Sequence, residues 1–146
     1  MTLPRTPSFR LDGRRALVAG ASSGIGAACA VALAEHGADV TLCARRETEL
    51  KALAAEMAQE GMQARTLALD ISDIAAALAD LPAFDILVNS AGAARHSPAA
   101  ETAPDDFDLV ANLNFRAAYF LTRTVAARLI GERKPGSLIN ISSQMG

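Results

Sequence analysis

The sequence predicts an α/β protein built on a doubly wound parallel sheet. Three observations predict it. Apolar runs of strand length alternate with helix-length stretches along the 146 residues. The apolar runs are continuous rather than alternating, as strands covered by helices on both faces require. Three glycines sit at the seam between the first strand and the first helix.

Each element can be justified in order. Residues 1–13, "MTLPRTPSFRLDG", form a Pro/Arg/Ser-containing lead-in, expected to be mobile over its first several residues. Ala16–Ala19 reads as a buried first strand and Gly20–Gly26 as a turn. Ile25–His36 is a helix rich in Ala and Leu, stopped by Gly37 as a C′ glycine. Asp39–Ala44 ("DVTLCA") is the second strand. Thr48–Glu60 is an amphipathic helix with Leu50, Leu53, Ala54 and Met57 on one face, and Gly61 stops it. Ala64–Leu69 is the third strand, Ser72–Leu81 a short helix ending at Pro82, and Asp85–Asn89 ("DILVN") the fourth strand. Gly92–Ala103 is a loop of small and polar residues. Pro104–Arg133 is a long helical stretch, and Ser137–Ser142 ("SLINIS") is the fifth strand. Residues 14–146 thus form a single domain, with no repeat, low-complexity tract or linker.

Composition excludes several function classes. Hydrophobic residues make up 51% and charged residues 21%, which is a globular balance. The net charge of −2 provides no basic excess to draw the chain to nucleic acid or anionic lipid. One Tyr, five Phe and no Trp leave no stacking platform for single-stranded nucleic acid. No apolar run has the length of a membrane span, and the N-terminus lacks a signal-peptide core, so a soluble cytoplasmic protein is expected. Cys29 and Cys43 read as small buried hydrophobes without metal-ligand spacing, and no metal is expected.

Gly20, Gly24 and Gly26 form G-x-x-x-G-x-G directly after a strand and at the start of a helix. One glycine allows the tight turn, one lets a pyrophosphate approach the backbone, and one lets helix and strand pack closely. The helix N-terminus offers free N–H groups and partial positive charge to the phosphates. Ser22, Ser23 and Ile25 fill the turn between the glycines. The expected sheet order is 3-2-1-4-5, with the cofactor at the carboxyl ends of strands one and four, where the order reverses.

The turn "AGASSGIG" resembles the T-G-x-x-x-G-x-G turn of the short-chain dehydrogenase/reductase family. Four further stretches fit that family in order. Asp70-Ile71 stands at the end of the third strand, where the family places an Asp that touches the adenine. "NSAG" (Asn89–Gly92) resembles N-N-A-G, with Ser90 replacing the usual second Asn. "FDLVANLNFRAAYFLTR" resembles the family's W-D-x-V-x-x-V-N-L-x-G helix, and "GSLINISS" its fifth strand with the catalytic serine. The resemblance covers nearly the whole chain. It implies a Rossmann-type fold and an NAD(P)-dependent oxidoreductase acting on an alcohol/carbonyl pair. Asn89, Ala91 and Gly92 are then expected to line the cofactor and support the strand end. The third helix is shorter than in many relatives, a departure far from the chemistry.

The residue ending the second strand, roughly twenty residues past the glycines, faces the adenosine ribose in a dinucleotide fold, and an acid there repels a 2′-phosphate. Here the position is Ala44, followed by Arg45 and Arg46. No acid is present, and one Arg–phosphate hydrogen bond is worth about 1.5–3 kcal/mol. NADP is therefore favoured, with NAD as the alternative if the two arginines are solvated and neutralised by Glu47 and Glu49.

The resemblance implies an Asn, Ser, Tyr and Lys catalytic set. The Tyr is the general acid/base, its pKa lowered by the Lys and nicotinamide charges, because hydride transfer to a carbonyl leaves an alkoxide to be protonated. Asn114 takes the Asn position by the register from Phe107-Asp108, and Ser143, not Ser142, takes the serine position. The Tyr-x-x-x-Lys motif is absent. Tyr119, the one tyrosine, precedes Arg123 by four residues but stands where the family has an aromatic packing residue. The chain thus reads as the N-terminal part of a longer protein, its domain incomplete at the C-terminus, and the 146 residues alone are expected to be inactive. A small-molecule alcohol/carbonyl substrate is expected, with self-association as a homodimer or homotetramer through the 104–133 helix, as in relatives. The competing reading is a non-catalytic NADP-binding sensor, which would have no use for Asn114 or Ser143. A purely structural domain would need neither the glycine turn nor Asp70.

Overall fold

A computed structural model of the chain describes residues 6–73, 78 and 81–143. Five parallel strands form one sheet in the order β3-β2-β1-β4-β5, as the sequence predicts. They are β1 (Arg15–Ala19), β2 (Asp39–Ala44), β3 (Ala64–Ala68), β4 (Ile86–Asn89) and β5 (Ser137–Asn140). Registers run without a bulge: Ala19 lies opposite Cys43 and Asn89, and Asn89 opposite Asn140.

Alternate side chains of β1 enter two separate cores. Ala16 and Val18 join Val40, Leu42 and Val88 under α1 (Gly24–Glu35) and α2 (Glu47–Gln59). Leu17 and Ala19 join Cys43, Leu87 and Phe84 under the long helical stretch on the opposite face. Both cores need apolar residues at consecutive positions, which is why β1 reads as an unbroken run. On α2, Leu50 and Met57 are buried and Leu53 and Ala54 pack beside them, the face that the periodicity predicts. The outer strands differ. Most positions of β3 and β5 are partly or fully exposed, because an edge strand has a neighbour on one side only.

Helix ends follow their glycines where one is present. Gly37 (φ 96°) and Gly61 (φ 79°) take left-handed conformations, and Ala38 and Met62 close back onto Leu33 and Met57 at 3.0 and 2.9 Å. The last helix stops at Gly131, two residues before the predicted Arg133. Arg133 itself takes the left-handed position (φ 53°), and Lys134 N–H closes onto Leu129 at 2.9 Å. The stop is set by closure of the chain, with no glycine in that position to signal it.

The predicted Pro104–Arg133 helix is not uniform. It comprises α3 (Pro104–Ala111), a π-helical segment (Asn112–Ala117) and α4 (Ala118–Gly131). Ile71–Asp73 form a 3₁₀ turn at the start of the predicted Ser72–Leu81 helix, most of which lies outside the described residues, as does the start of the lead-in. The β5 ladder ends at Asn140, short of the predicted Ser142, after which Ile141 N–H still donates to Asn89 O at 2.8 Å.

Candidate functional site

The carboxyl ends of β1, β2 and β4 open onto a cleft of about 380 Å³. It lies beside β1, where the chain first winds outward to β2 and β3 and later returns to β4 and β5. Gly20, Ser22, Ser23 and Ile25 line one side. Ala44, Arg45 and Arg46 lie at the end of β2, Leu69, Asp70 and Ile71 after β3, and Ser90, Ala91, Gly92 and Leu113 form the far wall.

The glycines have distinct physical jobs. Gly20 (φ 78°) lies so close to the far wall that a Cβ there would meet Ala91 N at 2.6 Å. A Cβ on Gly26 would meet Gly20 O at 2.2 Å, so this glycine lets α1 begin directly against the turn. Gly24 (φ 57°) needs left-handed backbone, yet a Cβ there would meet nothing within 4 Å. Gly20 and Gly26 therefore permit close packing, and Gly20 and Gly24 supply the left-handed backbone of the turn.

The start of α1 suits an anion. Its N-cap, Ser23, makes no side-chain capping hydrogen bond, and no acid stands in the first turn. Its leading N–H groups are left for a ligand, with the helix dipole behind them.

The two arginines differ. Arg46 Nη2 donates to Ser22 Oγ at 2.8 Å and to Ser23 Oγ at 3.2 Å, and Nη1 pairs with Glu49 at 3.4 Å. It is strapped across the glycine turn. Glu47 pairs instead with Lys51 at 2.6 Å. Arg45 makes no hydrogen bond or salt bridge among the described residues and lines the cleft, where its charge acts on Asp70. Asp70 accepts the Ser72 N–H at 2.9 Å, and that bond holds its carboxyl below the ordinary aspartate value, with the Ser72 side chain and Arg45 charge adding to it against partial burial. Beneath the cleft, Cys43 O accepts the N–H groups of Gly20 and Ala21 at 2.8 and 3.2 Å, and burial pushes its thiol up to about 12.

Of the predicted site residues, the cleft gathers Gly20, Ser22, Ser23, Ile25, Arg45, Arg46, Asp70, Ile71, Ala91 and Gly92. Gly24 and Gly26 shape the turn behind it. Asn89 stands at the base of the far wall, where its Oδ1 accepts Ala91 N–H at 3.2 Å. Asn114 lies in the π-helical segment and clamps the loop after β4: Nδ2 donates to Ala93 O at 2.8 Å, and Oδ1 accepts Ala93 N–H at 2.9 Å. Ser143 follows β5 by three residues on an exposed segment at the same end of the sheet, outside the cleft lining. Sequence pattern alone does not single out Leu69 and Leu113, which line the cleft, or Asn140 and Thr122, which extend the Asn89 network. A polar Asn inside the apolar run "SLINIS" was the available signal.

Fold and cleft together define a class: a Rossmann-like α/β protein with a glycine-walled cleft at the switch point of its sheet. More narrowly, the chain belongs to the short-chain dehydrogenase family, whose family model, described as short chain dehydrogenase, matches residues 14–146. It is 45% identical over 144 residues to a short chain dehydrogenase of Pseudocercospora fijiensis, covering 92% of this chain and 46% of that protein. It is 37% identical over 142 residues to gluconate 5-dehydrogenase of Gluconobacter oxydans, covering 92% and 55%. Among solved structures it resembles a gluconate 5-dehydrogenase from Burkholderia cenocepacia in complex with NADP and tartrate, with a TM-score of 0.84 and 36% identity over 93% of this chain and 56% of that one. The chain spans about half the length of the curated relatives it matches.

Proposed function

We propose that the protein is an NADP(H)-dependent oxidoreductase interconverting an alcohol and a carbonyl on a small polyol or sugar-acid substrate, and that this chain carries its cofactor site. The observation that supports the cofactor choice best is the pair Arg45 and Arg46 beside a β2 end that carries no acid. The cleft supports a dinucleotide on its own terms: an uncapped helix start, a glycine, Gly20, where turn and far wall meet, and two arginines at the end of β2. The gluconate 5-dehydrogenase relatives, one of them solved with NADP, support both the cofactor and the substrate class.

The bound nicotinamide would supply or take the hydride. The chain's own residues would do the rest. The first N–H groups of α1 would hold the pyrophosphate, Arg45 and Arg46 the 2′-phosphate, and Asp70 and Ile71 the adenine. Ser143 would donate a hydrogen bond to the substrate oxygen. Asn114 spends one lone pair and one N–H on Ala93, which leaves one of each for an ordered water. Phe115 (78% exposed) and Tyr119 (60% exposed) present aromatic surface on the long helix and support self-association through it, as a dimer or tetramer.

The test is Arg45→Asp in the protein as the cell makes it. Removing a cleft-lining cation and adding an acid should shift the NADP-to-NAD ratio of specificity constants toward NAD by about ten- to a hundredfold, the worth of one charge-assisted hydrogen bond. An unchanged ratio would show that Arg45 has no part in choosing the cofactor.

A further inference from the structure

The far wall of the cleft is held by a hydrogen-bonded chain that runs across two strands into the long helix. Asn89 and Asn140 are register partners at the ends of β4 and β5, and their side chains meet: Asn89 Nδ2 donates to Asn140 Oδ1 at 3.1 Å. The Thr122 hydroxyl on α4 lies 3.3 Å from Asn140 Oδ1 and 3.2 Å from its Nδ2. At the other end, Asn89 Oδ1 accepts the N–H of Ala91, the residue that lies against Gly20.

We infer that Thr122 and Asn140 are positioning residues that set the Ala91–Gly92 wall, acting through Asn89. Asn114 and Thr122 stand on the same long helical stretch. The first pins Ala93 directly, and the second pins Ala91 through two asparagines. The segment Ala91–Ala93, which contains that wall, is thereby tied at both ends to one helical stretch. Asn140 also stands three residues before Ser143, so the same link fixes the β5 end against the wall. The inference rests on the proposed oxidoreductase reading for its consequence in turnover. Its structural part stands on the hydrogen bonds alone.

The side-chain types fit this role. An amide carries both a donor and an acceptor, so each asparagine can receive a bond from one neighbour and pass one to the next. A valine at 122 would keep the shape and lose the link, and a serine would keep the hydroxyl.

The experiment compares Thr122→Val and Thr122→Ser with wild type. Amide hydrogen exchange at Ala91 should be faster by about three- to tenfold in Thr122→Val, the worth of one net hydrogen bond, and return to the wild-type rate in Thr122→Ser. Turnover with NADPH should fall by a similar factor in Thr122→Val, with substrate KM and NADPH affinity within twofold and melting behaviour nearly unchanged. An unchanged Ala91 exchange rate overturns the inference whatever the activity. Faster exchange with unchanged turnover, or a turnover loss that serine does not restore, overturns the positioning role. A wild-type protein that neither binds NADPH nor reduces any polyol-class ketone fails the proposed function instead, and Ala91 exchange still decides the structural link.

Discussion

Gly24 and Gly26 stand two residues apart in one turn and should fail in different ways. Alanine at Gly26 drives a Cβ to 2.2 Å from a backbone carbonyl, so α1 must move off the turn. Overpacking of this kind costs about 1–3 kcal/mol or more. Alanine at Gly24 clashes with nothing and suffers only its left-handed backbone, about 1–2 kcal/mol. Urea melts should therefore place Gly26→Ala below Gly24→Ala, while NADPH titration should show an affinity loss in Gly24→Ala, because its left-handed backbone sets the turn between Ser23 and Ile25 of the cleft wall. Cys43 makes a pH prediction. Its thiol is pushed up to about 12 by burial, so it stays neutral in the folded state through the range where an unfolded cysteine ionises. The unfolded state loses that proton first. Folding stability must then fall as pH rises through the ordinary thiol value near 8.5. Alkylation at that pH followed by peptide mass mapping should label Cys29, which is partly exposed, and spare Cys43 until the protein unfolds.

At the scale of elements, α4 is the beam under the second core. Leu121, Val125 and Leu129 line up at helical spacing and are buried against Leu17, Leu87 and Phe84. Leu121→Ala should cost about 2–5 kcal/mol in denaturant melts, the range for a fully buried leucine. Phe115→Ser should cost little in the same melts, since Phe115 is exposed, and should weaken self-association measured by sedimentation. The π-helical segment has a different consequence. Six residues wound more widely than α place Asn114 where its amide brackets Ala93. Such bulges are frequent at functional sites. A helix of uniform pitch would carry that amide round to another face.

For the molecule as a whole, the sheet is closed by helices at its centre and open at β5. Ile139 (47% exposed) and Ile141 (41% exposed) lie uncovered on or beside that edge strand. Residues 1–146 expressed by themselves should therefore associate in light scattering. They contain no Tyr-x-x-x-Lys, and Tyr119, with an arginine four residues on, stands on the exposed face of its helix. Following NADPH absorbance with a panel of ketones should show no turnover above background, because a general acid/base contributes typically about 10²–10⁴-fold. Turnover by this stretch would give Tyr119 the acid's role.

Strand order, parallel pairing and most of the cleft were legible in the sequence because each rests on local chemistry. Continuous apolar runs require cover on two faces, glycines mark where backbones touch, and the arginines follow their strand directly. The resemblance to a family supplied what local chemistry does not carry, namely the places of Asn114 and Ser143. What only the tertiary structure decided depends on residues far apart in the chain. No local pattern separates Arg46, strapped to Ser22 and Ser23, from Arg45, left facing the cleft. None reveals the π-helical winding at Asn114, or the stop at Arg133 without a glycine. The chain Thr122–Asn140–Asn89 joins positions 122, 140 and 89, which become neighbours only when β4 and β5 pair and α4 packs across them. Local preference is a property of a few consecutive residues, whereas a hydrogen bond between distant side chains exists only once the sheet has set their register.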